Sequence, residues 1–207
     1  GVSFTGAANS VAGATVFLNA GTLTLGDADT DSITFAGGVD ATGNATNPAT
    51  VNVAGTVATT NTALDLGAVS LTAATTLDSG ATGGTLNVGA VTGAQALTLD
   101  GGTGGAITVA SITSGGNLEV VDGASATFSG AVNADAVTLT SSAGTIAFQG
   151  NTVIDTSLTT TANVSGVSFT GAANSVAGAT VFLNAGTLTL GDADTDSITF
   201  AGGVDAT

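Results

Sequence analysis

The sequence predicts an all-β fold, a parallel β-solenoid of about 20–21 residues per coil. Three observations lead there. Apolar and polar residues alternate in short runs, the runs return at near-constant intervals, and residues 1–42 recur letter for letter as residues 166–207. Helical periodicity is nowhere sustained, and the density of Gly, Thr and Val argues against α-helix.

The alternating runs are, in order, Val2–Phe4, Leu23–Leu25, Ile33–Phe35, Val51–Val53, Leu64–Leu66, Leu86–Val88, Leu97–Leu99, Ile107–Val109, Leu118–Val120, Val137–Leu139 and Ile146–Phe148. Each places one polar or small residue between two apolar ones, the period-two signature of a strand with one buried face. Gly, Ala, Ser or Asp follows within one or two residues, so the chain can turn tightly, with Gly tolerating positive φ.

Spacing separates the all-β architectures. From Leu86 onward the runs begin at 86, 97, 107 and 118, and Phe128, Val137 and Ile146 continue the rhythm. Two steps make one coil near 21 residues. An immunoglobulin-like sandwich also spaces short strands at about 8–12 residues, but it closes on itself, and no closing signal is present. In stacked coils the backbone hydrogen bonds run from coil to coil and the inward residues form apolar ladders. Each fully buried Leu, Ile, Val or Phe is worth about 1.5–3 kcal/mol.

Identity over 42 positions, turns and surfaces included, is what a homogenised tandem array retains. The expected organisation is therefore one full unit of about eight coils, residues 1–165, and the start of an identical unit at residues 166–207, continuous with the first. At about 4.8 Å per coil the unit is roughly 38 Å long. Ala36 to Thr50 breaks the rhythm with Asn44, Asn47 and the only proline, Pro48. It reads as a protruding loop, either a tolerated insertion or a place for binding.

Composition removes whole classes of function. There is no Lys, Arg, His, Cys, Met, Trp or Tyr, and 15 acidic residues give a net charge of −15. Phosphate recognition needs cations, so nucleic acid is not an expected partner, nor is an anionic membrane surface. Catalysis lacks its usual bases, nucleophiles and oxyanion donors, leaving a two-carboxylate glycosidase as the one familiar scheme formally open. The expectation is that the chain is not an enzyme. No run of about 18 apolar residues occurs, so no membrane insertion is expected within this segment. The lack of cysteine is compatible with export, and the shortage of nitrogen- and sulfur-bearing side chains suits a protein made in bulk and lost to the outside.

The acidic residues supply the candidate site. Asp27, Asp29 and Asp31 alternate through the turn GDADTDS and return as Asp192, Asp194 and Asp196. Calcium favours clustered carboxylate and carbonyl oxygens, which makes these six residues candidate calcium ligands. The competing reading is a solvated acidic turn, because neither the glycine nor the closing glutamate of an EF-hand loop follows. Asp65 and Glu119 fall between the apolar members of a run and point outward, whereas Asp78, Asp100, Asp122 and Asp135 fall at turns. Rods so charged should repel sideways and bundle near the pI or with divalent cations. Outward threonines, as at Thr22 and Thr24, raise ice binding as a further class.

GTLTLG (21–26), DSITFAGGV (31–39), AVSLTAATTLDSG (68–80) and NADAVTLTSSAGTIAFQG (133–150) resemble the β-strand-repeat shafts of large bacterial surface proteins, the filamentous-haemagglutinin-like and autotransporter-type adhesins. The resemblance covers the whole chain and lies in texture. It implies a right-handed parallel β-helix, export across a bacterial envelope, and a role in attachment or in a biofilm matrix. Those shafts usually carry basic residues and degenerate repeats, so a strictly repeated acidic unit points to a long filament more than to an adhesive tip.

The functional expectation is a non-catalytic shaft segment of a giant extracellular or cell-surface bacterial fibre or adhesin. Its partners would be further copies of the repeat along the axis, with neighbouring fibres or surface glycans beside it. The alternatives are a calcium- or glycan-binding surface module and an ice-binding solenoid. End-to-end assembly through exposed solenoid edges is a further route to a fibre.

Overall fold

The computed structural model describes residues 1–42 and 48–206. Strands and turns make up those residues, with no helix among them, and every strand pairing is parallel. The chain is a β-solenoid of about nine coils, each coil carrying three faces. A single hydrophobic core runs the length of the stack.

Each face is a ladder of residues in register. On the first face Val2, Leu23, Val51, Val69, Val91, Ile112, Val132 and Thr152 succeed one another. On the second, Ile33, Val57, Leu77, Leu99, Val120, Leu139 and Thr160 do so. On the third the order is Thr15, Val39, Leu64, Leu86, Ile107, Ala126, Ile146, Val167 and Leu188. Each run predicted from alternation lies on a strand, and from Leu23 to Phe148 its inward members are buried. Parallel pairing satisfies the backbone from coil to coil, so both faces of a strand need not be buried and the outer side chains stay polar.

The step from one coil to the next ranges from 18 residues, Val51 to Val69, to 28 residues, Leu23 to Val51. Gly26, in the turn inside the long step, and Gly55, in the following coil, pin the contact between the two coils. Gly26 has φ +80° and Gly55 has φ +71°. A Cβ on Gly26 would sit 2.1 Å from the Ala54 carbonyl oxygen, and one on Gly55 would sit 2.3 Å from that of Asp31. Only glycine fits where the two turns touch.

Part of the predicted loop belongs to the wall. Val39–Asp40 is a strand between Thr15–Val16 and Leu64–Asp65, with Val39 and Ala41 buried. A lone Val followed by Asp shows no alternation, which is why it looked like loop. Asn44 and Asn47 lie outside the described residues.

The repeated segment does not return to the face it started from. Val2 opens the first face, but its copy Val167 continues the third, seated on Ile146. Likewise Asn174, the copy of Asn9, has moved from the second face to the first, where its carboxamide meets the backbone of Thr152. Thr180, the copy of Thr15, has moved from the third to the second, on Leu158. The ladders therefore count seven coils and two faces per 165-residue unit, and the mean coil is about 21.5 residues.

Candidate functional site

The acidic turn between the first and second faces is closed by its own carboxylate. Asp31 is buried, and its Oδ2 accepts hydrogen bonds from the backbone N–H groups of Asp27 at 2.9 Å and Ala28 at 3.2 Å. The Asp27 amide foremost, with the Ala28 amide and the Asp27 side chain helping, holds the Asp31 carboxyl below its ordinary pKa against the opposing effect of burial. Asp196 repeats the arrangement, with bonds of 2.8 and 3.0 Å from Asp192 and Ala193, and its pKa is lowered by the same donors. Asp27, Asp29, Asp192 and Asp194 are exposed.

So the structure brings one carboxylate of each trio onto backbone amides and leaves the other two in solvent. No group of three or more acidic side chains with a geometry suited to a metal occurs among the described residues. The turn performs the chemistry of an Asx cap, in which a carboxylate answers N–H groups that the bend leaves unpaired.

A second acidic feature was not apparent from the sequence. Asp78, Asp100 and Asp122 stack in register on three successive coils. Each accepts a bond from a nearby amide: Gly80 to Asp78 at 2.7 Å, Gly102 to Asp100 at 2.9 Å, and Gly123 to Asp122 at 2.8 Å. Burial above all, and then the charges of Asp78 and Asp122, push the Asp100 carboxyl above its ordinary pKa, while the Gly102 amide works in the other direction. The recurrence of Asp after Leu77, after Leu99 and shortly after Val120 is the signal that locates this ladder once the coil length is known.

On the edge between the third and first faces lies an open groove of about 510 Å³ whose floor includes Gly67, Gly89, Ala110 and Gly130 and whose rim carries Asn87 and Thr108. The small residues stack because the chain turns there on every coil; the Gly89 amide donates to the Gly67 carbonyl at 3.0 Å. Beside the groove, Asn87 Nδ2 donates to Asp65 Oδ1 at 2.5 Å, tying two coils together on the outer surface.

Thr24 stands between Ser3 and Asn52 on its ladder. The outer threonines Thr56, Thr76 and Thr98 line up over three coils and are followed by Glu119. The outward rows are mixed polar residues. No described helix is long and apolar enough to cross a membrane. Compared with models of known families, with curated proteins and with solved structures, the chain finds no match.

Proposed function

We propose that the chain is a shaft segment of a long extracellular fibre of bacterial origin, a non-catalytic rod that supplies length and stiffness and presents an anionic surface for attachment or matrix building. The observation that carries this reading is the junction at residue 166. There an identical copy of residues 1–42 seats on the preceding coils with its own internal pairings unchanged: Val167 pairs with Leu188 as Val2 pairs with Leu23. A stack that accepts its own beginning as its next layer can be lengthened without limit. Shared hydrogen bonding and a continuous core give it rigidity. A net charge of −15 keeps neighbouring rods apart.

Antibodies raised against the folded chain test the proposal on intact cells of the source organism. Label on surface fibres, and a parent protein carrying many units, is the expected result. Antigen confined to the cytosol, or a parent with only these two copies, would end it. A second reading, a glycan-binding module, draws on the edge groove beside Asn87 and Thr108. Specific retention on immobilised polysaccharide that Asn87→Ala abolishes would favour it over a plain shaft.

A further inference from the structure

We infer that each successive unit in a tandem array is set back by one face, so that every patch carried by the unit appears on the three edges of the rod in rotation and returns to the same edge only at every third unit. The inference rests on the shaft reading for its reach and on the register of the two copies for its geometry. The turn of Asp27 and Asp31 joins a first-face strand, Leu23–Leu25, to a second-face strand, Ser32–Phe35. Its copy, at Asp192 and Asp196, joins Leu188–Leu190 on the third face to Ser197–Phe200 on the first. The same turn thus occupies two different edges within this chain.

The cause is arithmetic imposed by packing. Three faces per coil and seven coils plus two faces per unit make 23 faces, a number not divisible by three. At about 4.8 Å per coil, one unit advances roughly 37 Å, and the pattern realigns after three units, roughly 110 Å. Gradual twist of the stack adds to this rotation without altering the face on which a strand falls. The edge groove follows the same rule: it is confined to part of one edge in one unit and steps to another edge in the next. A binding patch on such a rod faces all sides of the surrounding medium, and two patches on adjacent units cannot be bridged by a flat partner.

The test uses the 207-residue chain with a monoclonal Fab selected for the turn centred on Asp29, whose copy is centred on Asp194. Negative-stain images should show two Fabs on each rod, about 37 Å apart along the axis and projecting from edges about a third of a turn apart. Two Fabs projecting from one edge, in line with the axis, would overturn the inference.

The register itself is read by disulfide formation, since the chain has no cysteine. Ala147 and Ser168 are outward neighbours on adjacent coils, so Ala147→Cys with Ser168→Cys should close on mild oxidation. Val153→Cys with Ser168→Cys should stay open. Closure of the second pair and not the first would mean a whole number of coils per unit and would overturn the inference as well. The shaft reading fails separately: a parent with few units would remove it and leave the Fab angle and the disulfide pattern unchanged.

Discussion

Phe4 and Phe169 are the same residue of two identical segments, yet they pack in different ways. Phe4 meets Phe17 and Phe35 edge to face, with centroids 6.0 and 5.8 Å apart, whereas Phe169 lies flat on Phe148 at 4.7 Å with the rings 5° from parallel. Phe148 in turn stacks on Phe128 at 4.8 Å. Phe169 keeps an edge-to-face contact with Phe182, the copy of Phe17, at 6.5 Å; the stacked ring comes from the coil on which it sits, and Phe4, on the first strand of this chain, has no such coil beneath it. Within this 207-residue chain the two copies of a position differ in whether a coil covers them from below or from above, and the energetic difference can be measured.

Leu25 is fully buried in a strand paired on both sides, while its copy Leu190 is 43% exposed in a strand paired on one side only. Leu25→Ala should destabilise the chain by about 2–5 kcal/mol through lost burial and a cavity. Leu190→Ala should cost well under half as much. Gly26→Ala should likewise far exceed Gly191→Ala, because the Ala54 carbonyl presses on the first position alone, whereas the nearest atom at the second is the Asp196 Cβ at 3.2 Å. Chemical denaturation of the four variants, compared in pairs, checks this; equal costs within each pair would contradict the observed stacking.

Asn174 fills a polar gap in the first-face ladder. Its Oδ1 accepts a bond from the Thr152 amide at 3.0 Å and its Nδ2 donates to the Gly171 carbonyl at 2.6 Å, in a buried setting. Asn9, its copy, has the local bond to Gly6. Asn174→Ala strands a buried amide and should cost about 1–3 kcal/mol, with Asn9→Ala costing less. Hydrogen exchange at the Thr152 amide should accelerate in the first variant only.

The turn at Asp31 is held by its own hydrogen bonds, so its integrity should not depend on calcium. The melting temperature is expected to be the same with calcium and with a chelator, while Asp31→Asn lowers it. A rise on adding calcium that Asp27→Asn and Asp29→Asn remove would instead assign the turn to metal. The Asp31 and Asp196 carboxyls titrate below their ordinary value of 3.8. Their contribution is thus present above that pH and is lost as pH falls through the lowered values. The penalty of Asp31→Asn should shrink over the same acid range.

Asp100 has the opposite sign. Its raised carboxyl pKa means that the folded chain binds this proton more readily than the unfolded chain. The stability it contributes is complete below 3.8 and is lost as pH climbs through the raised value. Asp100→Asn should therefore stabilise the protein at neutral pH, with the gain fading toward pH 4. Denaturation midpoints of variant and parent at several pH values provide the check.

Val2–Phe4, Leu23–Leu25 and Val51–Val53 marked the first face in the sequence, but from Leu86 onward only the other two faces were legible. Leu97–Leu99 and Leu118–Val120 on the second face, with Leu86–Val88 and Ile107–Val109 on the third, carry apolar pairs that announce themselves. The first face at the same levels depends on single residues, Val91, Ile112 and Val132, flanked by Ala, Ser, Thr and Asn, which leaves no alternation to detect. Counting two steps per coil therefore gave nearly the right coil length with one face unseen. With that face hidden, the fractional number of coils per unit was hidden too. The candidate Asp residues were correctly placed at a turn, but alternation in sequence could not reveal that Asp31 folds inward to cap it while Asp27 and Asp29 face water.

The 28-residue step from Leu23 to Val51 has one further consequence. It is seven residues longer than the step from Val2 to Leu23 beneath it, yet Leu23 and Val51 meet in register and both are fully buried. Three of the seven extra residues fall between Leu23 and Ile33 and four between Val39 and Val51, so the wall tolerates added length at both turns without loss of register. The second of these intervals is a natural splice point: foreign peptide inserted after Thr42 would leave the buried Ala41 and its bond to Asp65 intact, and in an array it would be carried once per unit.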